Sequence, residues 1–255
     1  MWKSVIVALE AKTKVIAPDL PGFGDNPVAN TEPSIDVMAD DVAGLFELHR
    51  ISRAVVAGMS MGGYVALAFA ERHKDRLAGL GLISTQSGAD TPEIQKARRE
   101  MIEKVRHQGV APATEALLPK LFGAQNENVA EMKRFPIEGA QNAGVDGICW
   151  ALEAMGRRPD RTHLLRQLKV PAAVIHGAED KIVPAERARQ MAQLIPDAKY
   201  VEFPGGHASP LEAPKAVADA LLELLQRSAN FQSSVSNKHS REEPGIIIAP
   251  NERGL

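Results

Sequence analysis

Ala54-Val-Val-Ala-Gly-Met-Ser-Met-Gly-Gly-Tyr64 decides how this chain folds. An apolar run ends in Gly58-Met59-Ser60-Met61-Gly62, and Tyr64 to Arg72 follows with strong helix formers and neither Gly nor Pro. A Ser at a sharp strand-to-helix turn is pushed out above a sheet, and crowding there calls for Gly two residues before and after it. The bare pattern Gly-x-Ser-x-Gly arises by chance in about one chain in ten of this length, so its setting has to carry the argument. Here the setting is a compact run rich in β-branched residues, Ile51 to Ala57, and then a helix. Ser60 is therefore the candidate nucleophile.

A hydroxyl attacks poorly at neutral pH without a base, usually His, whose tautomer is held by a carboxylate. His49, His73 and His107 lie in charged helical stretches, His163 among Arg and polar residues, and His239 in a polar terminal segment. Solvated surface explains each of them. His176 closes the apolar run Val170 to Ile175, where packing at a strand end is the natural role. His207 differs, because Phe203-Pro-Gly-Gly-His-Ala-Ser-Pro210 is a loop between a short strand, Lys199 to Phe203, and the helix Pro214 to Gln226. Loops at the carboxyl ends of strands are where open α/β sheets carry their functional groups. The acid comes from the loop after Val170-Pro-Ala-Ala-Val-Ile-His-Gly177, which holds Glu179 and Asp180. Asp180 is the better orienter, since a shorter side chain holds a fixed geometry more easily; Glu179 is the alternative. The order Ser60, Asp180, His207 is the one expected for a Ser on this kind of elbow.

Composition sets the class. The 255 residues suit one domain with an insertion, and 44% hydrophobic residues can build a large core. A net charge of −2 gives no nucleic-acid footprint. The single cysteine, Cys149, excludes an internal disulfide. The apolar runs are strand-sized and no basic segment precedes a hydrophobic one at the start, so the expectation is a cytoplasmic protein with no membrane partner.

Along the chain, Ser4 to Lys12 reads as a helix, Lys14 to Pro18 as a strand, Pro33 to Leu48 as an amphipathic helix and Leu77 to Ser84 as a strand. Strands alternating with helices imply an α/β fold, a mostly parallel sheet with helices on both faces. Residues 87–168 interrupt that alternation with charged helical sequence and read as an inserted helical cap. Within it Met132, Phe135, Ile148, Trp150 and Met155 are explained by ordinary packing. The core is then residues 1–86 and 169–227, and the polar segment 228–255 reads as a disordered tail; its one strand-like run, Gly245 to Ala249, carries the alternative that this segment pairs with the exposed sheet.

Val15-Ile-Ala-Pro-Asp-Leu-Pro-Gly-Phe-Gly24, the elbow, the acid loop His176 to Pro184, and Gly205-Gly206-His207 with Leu211-Glu-Ala-Pro214 stand in one order. With them the chain resembles the α/β-hydrolase superfamily over roughly residues 1–227. Ser84-Thr-Gln-Ser-Gly-Ala-Asp-Thr-Pro-Glu93 resembles its small esterases and 3-oxoadipate enol-lactonase-like enzymes. The resemblance implies acyl transfer to Ser60, with His207 as base and Asp180 as orienter. It implies an oxyanion held by the backbone N–H of Met61 and by a second N–H from an earlier loop, a small ester or lactone as substrate, and no metal or cofactor. A cap in this family narrows access to the site.

The resemblance also sets a departure. In the family a His-Gly loop precedes the Pro-Asp-Leu-Pro-Gly-Phe-Gly segment, and Met1-Trp2-Lys3 resembles the start of the helix that follows that loop. The first strands and the oxyanion loop are therefore expected to be missing. An interior position between Lys14–Pro18 and Ala54–Ala57 is left without a strand, so two backbone ladders lack partners. Alongside the serine esterase stand two alternatives: a cofactor-free perhydrolase or haloperoxidase-like activity, and a catalytically impaired binding protein.

Overall fold

The computed structural model describes residues 1–124, 129–235 and 244–249. In chain order α1 (Lys3–Glu10) leads into β1 (Val15–Ile16), α2 (Ile35–Leu48), β2 (Ala54–Met59), α3 (Met61–Arg72) and β3 (Leu77–Ile83). Then come α4 (Pro92–Gln108), α5 (Ala111–Leu121), α6 (Val129–Met132), α7 (Arg134–Arg157) and α8 (Thr162–Leu165). The alternation resumes with β4 (Ala172–Gly177), α9 (Ala185–Leu194), β5 (Ala198–Phe203), α10 (Ser209–Glu212), α11 (Pro214–Val235) and β6 (Gly245–Ala249). Helix starts follow local chemistry. Ser34 caps α2 by accepting from Asp36 N at 3.1 Å, and Thr91 precedes Pro92 at the first turn of α4, where a missing N–H costs nothing.

The sheet runs β1-β6-β2-β3-β4-β5 with every pair parallel. Side chains alternate across it, so each face buries its own cluster. Val56, Leu80, Leu82, Val174 and Ile247 face α2, α3 and α9, against residues such as Met38, Phe46, Phe69 and Met191. Val55, Ala57, Ile83, Ile175, Ile246 and Ile248 face α1 and α11, against Trp2, Val5, Leu9, Leu221 and Leu224. This is the α/β architecture expected from the pattern of apolar runs.

Two expectations are corrected. The chain does not become a disordered tail at residue 228: α11 continues to Val235, and Ser228 is fully buried with its hydroxyl donating to Leu224 O at 2.8 Å. Nor is the position beside β2 empty. β6 lies there, pairing Val15 and Ile16 with Ile246 and Ile247 on one side and Ala54 to Gly58 with Gly245 to Ala249 on the other. An unbroken apolar run such as Gly-Ile-Ile-Ile-Ala suits a strand covered on both faces of a parallel sheet. Residues 236–243 and 250–255 of the expected tail, His239 among them, lie outside the described residues.

Helices α4 to α8 separate β3 from β4. They pack on loops at the carboxyl edge of the sheet. Trp150 Nε1 donates to Thr31 O at 3.4 Å, and Gly147 of α7 abuts Gly22 after β1. The Gly147–Met155 stretch is part of a longer α7, which turns at Gly144 with φ 65°. Trp150, Ile148 and Met155 join the main core, while Met132 packs on Leu121, Phe122 and Ala208. Among the described residues no helix is long and apolar enough to cross a membrane.

Candidate active site

Ser60 follows β2, Ser84 follows β3, Asp180 lies in the loop after β4 and His207 in the loop after β5. Because these strands are parallel, all four residues sit at one edge of the sheet. The turn at Ser60 is strained: φ is 51° and ψ −114°, in a residue with a Cβ. Its geometry is enforced on each side. A Cβ at Gly58 would collide with the Gly62 carbonyl, and one at Gly63 would meet the Thr85 side chain at 2.5 Å. Backbone bonds lock the rest, with Ser60 N donating to Ile83 O at 2.9 Å and Thr85 Oγ1 donating to Ser60 O at 2.8 Å. Ser60 is half-buried. Met61 opens α3, so its N–H is among those a helix leaves without an internal acceptor.

His207 and Asp180 meet. Nδ1 of His207 donates to Asp180 Oδ2 at 2.7 Å, and the two side chains are 3% and 0% exposed. The other carboxylate oxygen, Oδ1, accepts from Ile182 N at 2.8 Å and Val183 N at 2.9 Å. Three donors on one buried carboxylate fix its orientation. Glu179, the alternative acid, turns elsewhere and accepts from Ala124 N at 2.9 Å. His176 is fully buried at the end of β4, with Nε2–H donating to Val183 O at 2.9 Å and lying 3.5 Å from Asp180 Oδ2. Burial pushes its ring below the ordinary histidine value, against the opposing pull of Asp180. His73 and His163 pair with Asp40 and Glu71 at the surface.

The His207 loop is squeezed between two others. A Cβ at Gly177 would strike Gly206 O, and one at Gly206 would lie 2.6 Å from Gly123 N. Ala208 N donates to Leu121 O at 2.9 Å, so the end of α5 lies directly against the residue after His207. Leu121 and Phe122 with Ala208, Ile182 and Leu211 form a small apolar cluster at this junction. None of these contacts from the insertion was read from the sequence. A cleft of about 770 Å³ lies between α4 and α7, and one of about 310 Å³ lies where Cys149 and Trp150 of the insertion meet Val28 and Pro33; neither is lined by Ser60, Asp180 or His207. Among the described residues no group of His, Cys, Asp and Glu is arranged to hold a metal ion.

The alpha/beta hydrolase fold family matches residues 1–214. The chain belongs to that family. Among relatives of this hydrolase, pimeloyl-(acyl-carrier protein) methyl ester esterase of Chromobacterium violaceum is 30% identical over 226 residues, covering 83% of each chain. Of solved structures, the thermophilic esterase from Thermogutta terrifontis, with malate bound, is 37% identical with a TM-score of 0.82, covering 89% of this chain and 85% of its own. The enol-lactonase from Burkholderia xenovorans LB400 is 29% identical with a TM-score of 0.76, covering 88% and 85%. The alpha/beta hydrolase described here therefore falls in the esterase and enol-lactonase-like branch that Ser84 to Glu93 resembles.

Proposed function

We propose that this hydrolase cleaves a small carboxylic ester or lactone through an acyl-enzyme on Ser60. The observation that carries the reading is the buried 2.7 Å bond between His207 Nδ1 and Asp180 Oδ2, formed at the sheet edge where the strained Ser60 turn stands. With Nδ1 committed as a donor, Nε2 of His207 is the basic nitrogen. It takes the Ser60 proton as Oγ attacks the carbonyl carbon, and Asp180 stabilises the imidazolium that forms. The oxyanion is held by Met61 N–H, aided by the positive end of α3. Collapse expels the alcohol with the proton from His207. His207 then deprotonates water, which attacks the acyl carbon and releases the acid and Ser60. The helical insertion acts as the cap, with Leu121 and Phe122 packed against Ala208, the residue after His207. A methyl ester esterase and an enol-lactonase among the relatives support small esters and lactones as the substrate class.

The test is steady-state hydrolysis of p-nitrophenyl acetate and butyrate. Turnover should fall by at least about a thousandfold in Ser60→Ala, because triad members act as a unit. Rates equal in the parent and in a folded Ser60→Ala variant would overturn the reading.

A further inference from the structure

Leu211-Glu212-Ala213-Pro214 belongs to the sequence pattern that led to the family, yet no step of acyl transfer uses it. Glu212 closes the short helix α10, and its carboxylate turns back to the His207 loop. One oxygen accepts from Gly206 N at 2.9 Å, and the other accepts from Gly123 N at 2.8 Å. Gly206 immediately precedes His207, and Gly123 belongs to the helical insertion, 89 positions away from Glu212 in sequence. Both amides lie in loops and are partly buried, so each needs an acceptor that no strand or helix ladder supplies. A carboxylate meets that need with charge-assisted bonds to both at once. The bridge is possible because Gly206 has no side chain; a Cβ there would lie 2.6 Å from both Gly123 N and the Phe122 carbonyl carbon.

We propose that Glu212 is a positioning residue for His207, holding the base in place through Gly206 and tying that place to the docking of the insertion at Gly123. The inference rests on the serine-hydrolase reading for its catalytic meaning, although the bridge itself does not. Alanine at 212 removes both acceptors. Glutamine offers one acceptor and sets its NH2 against the remaining N–H, so it keeps only one of the two bonds.

Two measurements test this. In Glu212→Ala the kcat for p-nitrophenyl butyrate should fall about tenfold to a hundredfold, the range expected for losing one or two hydrogen bonds to a charged group. KM should stay within about twofold, since the substrate itself is not contacted, and Glu212→Gln should fall between the two. Independently, the downfield proton resonance of His207 Nδ1–H, assigned by its loss in His207→Gln, should be sharp in the parent and broadened in Glu212→Ala. A folded Glu212→Ala with parental kcat overturns the proposal, as does a loss of kcat with an unaltered resonance. Failure of both variants to fold also overturns it, making the carboxylate a folding element only. If the parent shows no Ser60-dependent turnover, the serine reading fails, and the resonance alone then decides whether Glu212 positions His207.

Discussion

His176 shows how one side chain couples the site to the stability of the fold. Its ring is fully buried, Nε2–H is spent on Val183 O, and Nδ1 has no partner. That arrangement fits the neutral ring, with Nδ1 unprotonated. A proton on Nδ1 would be a buried donor without an acceptor. Burial accordingly lowers the ring's proton affinity, with Asp180 opposing from 3.5 Å. The sign follows from linkage. Below the ordinary value near 6.5 the unfolded chain binds a proton that the folded chain refuses, so stability is full above that value and is lost as pH falls through it. The melting temperature should therefore drop between about pH 7.5 and about pH 5.5, and it should drop less in His176→Gln, whose amide nitrogen reaches the Nε2 position to donate to Val183 O and does not titrate. Parallel curves for parent and variant would show that His176 carries none of the effect.

At the scale of elements, an ion cluster ties the two ends of the insertion to each other, and Arg158 carries it to α3 through the Tyr64 ring. Asp90 Oδ1 and Arg158 Nη1 lie 2.7 Å apart with side-chain exposures of 1% and 2%, and Arg98 Nε approaches Asp90 Oδ2 at 2.5 Å. The Arg158 guanidinium also lies 3.9 Å above the Tyr64 ring of α3 and donates to Gly88 O and Met155 O. Removing Asp90 would leave a buried guanidinium without its counter-charge, at a cost of about 3–5 kcal/mol. Lys96–Glu100 on the same helix α4 is solvent-exposed, and losing it should cost no more than about 1 kcal/mol. Urea denaturation of Asp90→Ala and Glu100→Ala separates the two; equal losses would mean the cluster does not secure the insertion. This cluster also marks what the sequence could not disclose. Local signals delimit β2, the Ser60 turn, α4 and the loops of Asp180 and His207, because apolar runs, Thr91-Pro92 and the glycines act within a few residues of themselves. Asp90–Arg158 and Gly123–Glu212 join positions far apart in the chain, and nothing in either member's neighbourhood names the other. The extension of α11 past Gln226 was equally hidden, because Ser228 looks like a polar breaker until its hydroxyl finds Leu224 O.

For the molecule as a whole, the decisive element is β6. Gly245 to Ala249 is readable as a strand from its composition, but five apolar residues do not record which edges they join, and the place between β1 and β2 follows only from the assembled sheet. Once there, β6 gives the Ser60-bearing strand a full ladder, with Ala249 beside Gly58 two residues before Ser60. An interior strand and a loosely attached one make different demands on substitution. Ile246 and Ile248 pack against α1 and α11, while Ile247 packs against the opposite layer, and all three are buried. Each truncation to Ala should therefore cost about 2–5 kcal/mol, whichever face the residue occupies. A strand packed on one face only would alternate between large and small costs, and a segment not seated in the sheet would lose no more than about 0.5 kcal/mol at any position. Denaturant titration of Ile246→Ala, Ile247→Ala and Ile248→Ala reads these apart directly. Activity adds a second reading, because a stop after residue 243 strips the ladder from β2 and should abolish the Ser60-dependent hydrolysis along with much of the stability. Parental melting and parental turnover in that shortened chain would show that the sheet closes without β6 and that the Ser60 turn needs no support from it.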